Sequence, residues 1–237
     1  MARFAFAVPV LPGKNARSVS DMMRPRKEEY EESRRRKGIT MERVNEVPTP
    51  MGTFVVAYIE SERSFADTMA AMAASDLPLD RDFNAATADV HGMDMSQPPP
   101  GPPPETIAEW QDPQVKERRL GIAFFAPLLP GRADAGRAFA REAWVTRSAD
   151  YVESRRAKGV NVEVVTLNTT PQGELICVYV EATDPVQANA EFARSQTPYD
   201  RWFKDQLRTL FPPEVDFDQP VPVGEVIWDW HRATVRA

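Results

Sequence analysis

Phe4 to Gly13 reads FAFAVPVLPG, and Ile122 to Gly131 reads IAFFAPLLPG. In each, an apolar run closes on Pro and then Pro-Gly, the pattern of a buried strand running into a turn. Working outward, Tyr30 to Gly38 (YEESRRRKG) returns as Tyr151 to Gly159 (YVESRRAKG), and Phe54 to Glu60 (FVVAYIE) returns as Leu175 to Glu181 (LICVYVE). Asp80 to Phe83 is matched by Asp200 to Phe203, and Glu105 to Trp110 (ETIAEW) by Glu225 to Trp230 (EVIWDW). Matches kept in order over such a span mark a tandem repeat, each copy one folding unit. The expected domains are therefore 1–110 and 120–237, joined by a polar linker at 111–119.

Each copy spells the same elements. A strand (Arg3 to Val8, Gly121 to Ala126) precedes a long charged segment (Ala16 to Lys37, Ala133 to Lys158) whose apolar positions share one helical face. Those positions are Val19, Met23 and Tyr30 in the first copy and Ala140, Trp144 and Tyr151 in the second. Gly38 and Gly159 stand where a left-handed C-cap belongs, and Pro25 predicts an interruption in the first copy. Two β-patterned runs follow as a hairpin, Thr40 to Val47 with Phe54 to Glu60, and Asn161 to Leu167 with Leu175 to Glu181. A second helical region divides at Pro78 or Pro198, with Asp184-Pro185 as N-cap and first-turn proline, before the last strand. The order strand, helix, strand, strand, helix, strand is the ferredoxin-like βαββαβ plan.

A four-stranded sheet with helices on one face leaves its other face bare, and two sheets laid face to face cover each other. On this element order the chain resembles the dimeric α+β barrel superfamily, which includes antibiotic-biosynthesis-monooxygenase-like domains. The implied fold class is α+β: two tandem ferredoxin-like units packed sheet to sheet as an intramolecular barrel. The resemblance further implies a cavity suited to aromatic or polyketide-like compounds.

The 237 residues carry a net charge of −6, with 13 cationic against 17 anionic residues up to Trp110 and 16 against 18 beyond it. Neither half offers the basic footprint that nucleic acid requires. No apolar run reaches the ~18 residues of a membrane span. The N-terminal apolar run recurs mid-chain, so it reads as a strand rather than a secretion signal. A single cysteine, Cys177, sits in a strand pattern as a small core residue, and a reducing, cytoplasmic setting follows. The proline cluster Pro98 to Pro104 reads as a stiff loop, with a polyproline ligand for a partner domain as the alternative.

Candidate chemistry is sparse. His91 precedes Gly92 at a helix end, with Asp89 and Asp94 close in sequence; it is either a proton-transfer group or a capping histidine. It matches Phe211 in the second copy, so histidine chemistry would belong to one half. Tyr58 with Glu60, and Tyr179 with Glu181, share a strand face by the two-residue period. They form either a carboxylate site or a solvated strand end that caps the next helix. Arg34 and Arg155 lie at i+4 from Tyr30 and Tyr151, placed to bind a substrate carboxylate, or to clamp a Glu or Asp across the unit interface or cap a neighbouring strand. Asp80 and Asp200 read as N-caps. No His or Cys spacing suits a metal, and no nucleotide or hydrolase motif occurs.

The expected function is binding of a small organic molecule in a cavity of the barrel, as a ligand carrier or a cofactor-independent enzyme. His91 would abstract a proton from an acidic carbon, Glu60, Tyr58 and Arg34 would orient the substrate, and Glu181, Tyr179 and Arg155 would be their twins. The alternative is a non-catalytic structural or interaction protein with a filled barrel, whose outer helices mediate assembly, self-association included, with the Met-rich helix Phe65 to Met72 and the proline loop as contact surfaces. A lower-ranked alternative is a haem barrel of the chlorite-dismutase-like type, although neither His91 nor His231 stands in a counterpart of that haem site.

Overall fold

The computed structural model describes residues 1–97 and 101–232; Pro98, Pro99 and Pro100 of the proline cluster lie outside the described residues. The chain forms β1 (Ala2–Pro9), α1 (Arg17–Met23), α2 (Lys27–Lys37), β2 (Ile39–Thr49), β3 (Gly52–Ser61), α3 (Phe65–Ala73), α4 (Pro78–His91) and β4 (Glu105–Gln111). The same order follows as β5 (Leu120–Pro127), α5 (Ala133–Arg141), a π-turn (Glu142–Thr146), α6 (Ser148–Ala157), β6 (Val160–Thr170), β7 (Gly173–Ala182), α7 (Pro185–Arg194), α8 (Pro198–Leu210) and β8 (Glu225–His231). Two four-stranded antiparallel sheets result, ordered β1-β3-β2-β8 and β4-β6-β7-β5. The α+β class and the ferredoxin-like element order are as expected.

The domain boundaries are not. One compact unit gathers Met1–Pro103 and the chain from Glu225 onward, and the other is Pro104–Gly224. The last strand of each copy completes the other copy's sheet: β8 pairs with β2, and β4 pairs with β6. The expected domains 1–110 and 120–237 are therefore corrected by one exchanged strand. The segment 111–119 is no interdomain linker, since it joins β4 to β5 inside the second unit, where Asp112 is buried and paired with Arg156. Sequence repetition aligns like with like but carries no information on which of two similar sheet edges a strand joins.

Local chemistry explains the elements. The β2–β3 turn is held by Thr49, whose hydroxyl donates to the Gly52 carbonyl at 2.8 Å and accepts from Met51 N at 3.1 Å. Thr170 does the same across the β6–β7 turn, donating to the Gly173 carbonyl at 2.8 Å. Gly38 ends α2 at φ 73°, in the left-handed region that favours glycine. Pro25 separates α1 from α2 as predicted, whereas the second unit, lacking that proline, runs α5 into α6 through the π-turn. Asp184 caps α7 by accepting from Gln187 N at 2.9 Å.

The strand period places Val55, Ala57 and Ile59 on the helix side of the first sheet, among the side chains that line its helix-covered cavity. Ile176, Val178 and Val180 do the same in the second. Each unit thus has a core of its own between sheet and helices. Val19, Met23, Tyr30, Leu79 and Val90 form part of one, and Ala143, Tyr151, Tyr199 and Phe203 part of the other. Cys177 is buried on β7. Met69 and Met72 of α3 pack inward with Met95, so this helix does not present its methionines as the surface the interaction reading requires. Among the described residues no helix is long and apolar enough to cross a membrane.

Candidate functional site

The repeated Tyr-x-x-x-Arg of α2 and α6 builds a buried ionic cluster in each unit. Arg34 directs Nε to Glu42 Oε2 at 2.7 Å and Nη2 to Oε1 at 3.3 Å, while the Tyr30 hydroxyl donates to Oε2 at 2.7 Å. Arg155 holds Glu163 in the same way, at 2.5 and 3.3 Å, and Tyr151 donates to it at 2.8 Å. Burial opposes the charge of each guanidinium, yet the facing carboxylate and phenol hold both above the ordinary arginine pKa. Burial, above all, pushes the Tyr30 and Tyr151 phenols up. With both carboxylate oxygens engaged by the fork, Arg34 and Arg155 each clamp an acid of their own unit, which corrects both the substrate-carboxylate role and the expectation of an acid across the unit interface.

A second cluster lies beside each clamp. Asp80 accepts from Ser33 at 2.7 Å and pairs with Lys37 at 2.5 Å; Asp200 accepts from Ser154 at 2.6 Å and from Lys158 at 2.7 Å. Asp80 and Asp200 are not the N-caps expected: Leu77 occupies that position on α4 and Thr197 on α8. Both acids are buried, at 1% and 0% exposure.

Tyr58 and Glu60 share a strand face, joined at 2.8 Å, and Tyr179 and Glu181 at 2.7 Å. Both carboxylates are buried, so neither marks a solvated strand end, and the following helices are capped by Ser64 and Asp184 instead. Arg3 lies 3.5 Å from Glu60, and Arg118 2.9 Å from Glu181. By alternation with Ala57 and Ile59, Tyr58 and Glu60 lie on the sheet face away from the unit's own helices. His91, on α4, lines the cavity on the helix side. The expected constellation of His91 with Glu60 and Tyr58 is therefore not assembled: the sheet stands between them.

His91 does not cap its own helix either. Its Nδ1 meets the Pro9 carbonyl of β1 at 2.8 Å, while Gly92 supplies the left-handed cap at φ 68°. Asp89 pairs with Lys14 and Asp94 binds Ser96, so the acids expected beside the imidazole are engaged elsewhere.

The larger apolar cavity is in the second unit, between its sheet and helices, with a volume of about 160 Å³. Phe139, Trp144, Phe203, Leu207, Ile176 and Val178 supply much of its wall, and the Arg155–Glu163 clamp with Lys158 forms a polar end. Trp144 stands on the π-turn, its ring 4.6 Å from that of Tyr151. Its indole Nε1 is buried and has no hydrogen-bond partner. The sequence placed Trp144 on the apolar helix face but gave no sign of the π-turn or of the unanswered N–H. The available signal was the match of Trp144 to Met23, an indole where the first copy has a thioether. Among the described residues no group of three or more His, Cys, Asp or Glu side chains is placed to hold a metal ion.

No protein-family model and no curated protein sequence matches the chain. Among solved structures it is similar to a provisionally assigned monooxygenase from Fusobacterium nucleatum subsp. nucleatum, with TM-score 0.53, 9% identity, and 98% of this chain and 95% of that one covered. A provisionally assigned monooxygenase from Lactobacillus acidophilus gives 0.54 and 9%, covering 98% and 97%. An anthrone oxidase-like protein gives 0.52 and 11%, covering 97% and 92%. What the chain has in common with all three, over nearly its whole length, is their α+β fold.

Proposed function

We propose that this protein binds a small organic molecule, about one ring in size and bearing a hydrogen-bond acceptor, in the cavity of the second unit. The observation that carries this reading is Trp144, which lines an apolar cavity and whose indole N–H is buried with nothing to receive it. A buried donor without a partner costs about 1–3 kcal/mol, which an acceptor on a ligand would recover. A dry cavity of ~150 Å³ is enough for benzene, so the volume here sets the scale at roughly a single substituted ring. π-turns occur disproportionately at functional sites, and this one carries the donor. The fold shared with an anthrone oxidase-like protein is in keeping with an aromatic carbonyl ligand. The ionisable groups at the cavity's polar end are each ion-paired, Arg155 with Glu163 and Lys158 with Asp200, which favours recognition over proton transfer as the task of this site.

The test compares acetophenone with α-methylstyrene, its isostere with C=CH2 in place of C=O, by calorimetric titration of the full chain. Acetophenone is expected to bind about 5- to 150-fold more tightly, the range that corresponds to the penalty above. Trp144→Phe should abolish the preference while leaving α-methylstyrene binding in place. A preference that persists in Trp144→Phe, or no binding of either compound, would refute the proposal.

A further inference from the structure

The first unit holds a smaller cavity of about 90 Å³ between its sheet and α1, α3 and α4. Its wall is apolar and thioether-rich, with Met23, Met69, Met72, Met93 and Met95 beside the rings of Phe6, Phe83 and Trp228. Thr87 and His91 interrupt that wall from α4; at i and i+4 they lie one above the other on one helical face. Thr87 is only 7% exposed, and its hydroxyl oxygen has no hydrogen-bond partner. A helical threonine usually satisfies its hydroxyl on the carbonyl one turn back, and this one does not. A carbonyl oxygen only accepts, so the bond to Pro9 requires the proton on His91 Nδ1 and leaves Nε2 of the neutral ring as a bare acceptor. Burial, the larger effect, pushes the imidazole pKa down and favours that neutral form. Glu42, also at the wall, is occupied by Tyr30 and Arg34.

We propose that this cavity is a second small-molecule site, for a short neutral alcohol. The hydroxyl donates to His91 Nε2 and accepts from Thr87 Oγ1, and the alkyl part lies among the methionines. Size and valence both select this class. The volume is well below the ~150 Å³ that takes benzene, which limits the occupant to on the order of four or five heavy atoms. Ser20, also at the wall, already donates to the Arg17 carbonyl. An ordered buried water typically makes about three hydrogen bonds, whereas an alcohol is satisfied by one acceptor and one donor, here His91 Nε2 and Thr87 Oγ1. The site is separate from that of the second unit, and either can fail without the other.

The chain has only two histidines, so the imidazole nitrogens of the full-length ¹⁵N-labelled protein give two sets of resonances, assigned with His231→Gln. Titration with 1-propanol is expected to shift His91 Nε2 saturably, with about tenfold tighter apparent binding than methoxyethane, which has the same heavy-atom count but no O–H. Thr87→Val should bring 1-propanol down to the level of the ether, and Thr87→Ser should restore it. Equal affinity for alcohol and ether, a shift indifferent to Thr87→Val, or no saturable shift would overturn the proposal. So would a bound-water signal at His91 that 1-propanol at saturation fails to displace.

Discussion

The indole of Trp228 packs on the ring of Tyr30 with centroids 4.8 Å apart and donates to its hydroxyl at 2.8 Å. A relay results in the first unit: Trp228 donates to Tyr30, Tyr30 to Glu42, and Arg34 holds Glu42 from the other side. In the second unit the nearer of two rings against Tyr151, at 4.6 Å beside Trp110 at 5.7 Å, is Trp144, which arrives from a helix rather than from a strand and leaves its N–H unanswered. The exchange of last strands produces this difference. Trp228 faces Val44 on β2, whereas its repeat counterpart Ala108 faces Val165 on β6. Alanine leaves room where tryptophan fills it, in line with cavities of about 160 and 90 Å³.

Trp228→Phe and Trp144→Phe should therefore differ in stability although the substitutions are the same. The first loses a hydrogen bond to a buried phenol, worth about 1 kcal/mol, besides some packing. The second removes a donor that had no partner, and its midpoint in urea should stay within about 0.5 kcal/mol of the parent or rise. An equal loss in both variants would remove the claimed asymmetry.

The clamps make a second prediction. Glu163→Gln leaves Arg155, 5% exposed, with no matching charge, and should destabilise the second unit by about 3–5 kcal/mol. Replacing both partners, Arg155→Met with Glu163→Met, should recover most of that loss, because burying two apolar chains avoids the desolvation of two charges. A double variant as unstable as the single one would show that shape rather than charge governs the site.

Two groups set opposite limbs of the stability–pH curve. Asp200 is held at about 2 against an ordinary 3.8, since bonds from Lys158, Ser154 and Ser195 outweigh the burial that would raise it. A depressed carboxylate stabilises above its unfolded value, and that contribution disappears as pH falls through about 2. Lys37 is lowered to about 8 from 10.5, by burial first and the neighbouring Arg34 second. Between those values the unfolded chain binds the extra proton, so this group makes stability rise with pH from about 8 upward. Asp200→Asn should flatten the acid limb and Lys37→Met the alkaline rise, both followed by urea midpoints across pH. Slopes unchanged in the variants would contradict the assignments.

The strands, the split at Pro78 and Pro198, the Asp184 cap and the glycine-ended helices were legible because each depends on residues close in sequence. The Tyr58–Glu60 and Tyr179–Glu181 pairs were legible from the two-residue period, which fixes the shared face but not which face it is. Partners across the fold were not. Glu42 is only 8 residues from Arg34, but Glu28, Glu29, Glu31 and Glu32 are nearer and nothing in the sequence selects among them, and nothing beside His91 points to the Pro9 carbonyl, 82 residues away. The π-turn escaped for a different reason: one extra residue in a helix leaves its apolar periodicity almost untouched.

The exchanged strand makes the last prediction. A fragment of residues 104–224 contains four strands, its own helices and the core around Tyr151, whereas a fragment of residues 120–237, cut at the repeat boundary, lacks β4. For the second to close its sheet, β8 must take the place of β4 beside β6. In the matching register that brings Trp228 opposite Val165, toward the Tyr151 ring that Trp144 already covers. Two indoles then compete for one site, and overpacking of a filled core costs about 1–3 kcal/mol. The 104–224 fragment should unfold cooperatively as a monomer with well-dispersed amide resonances. The 120–237 fragment should be less stable by at least that margin, or associate through β8. Equal stability of the two as monomers would mean that strand choice is not written into Trp228 and Trp144.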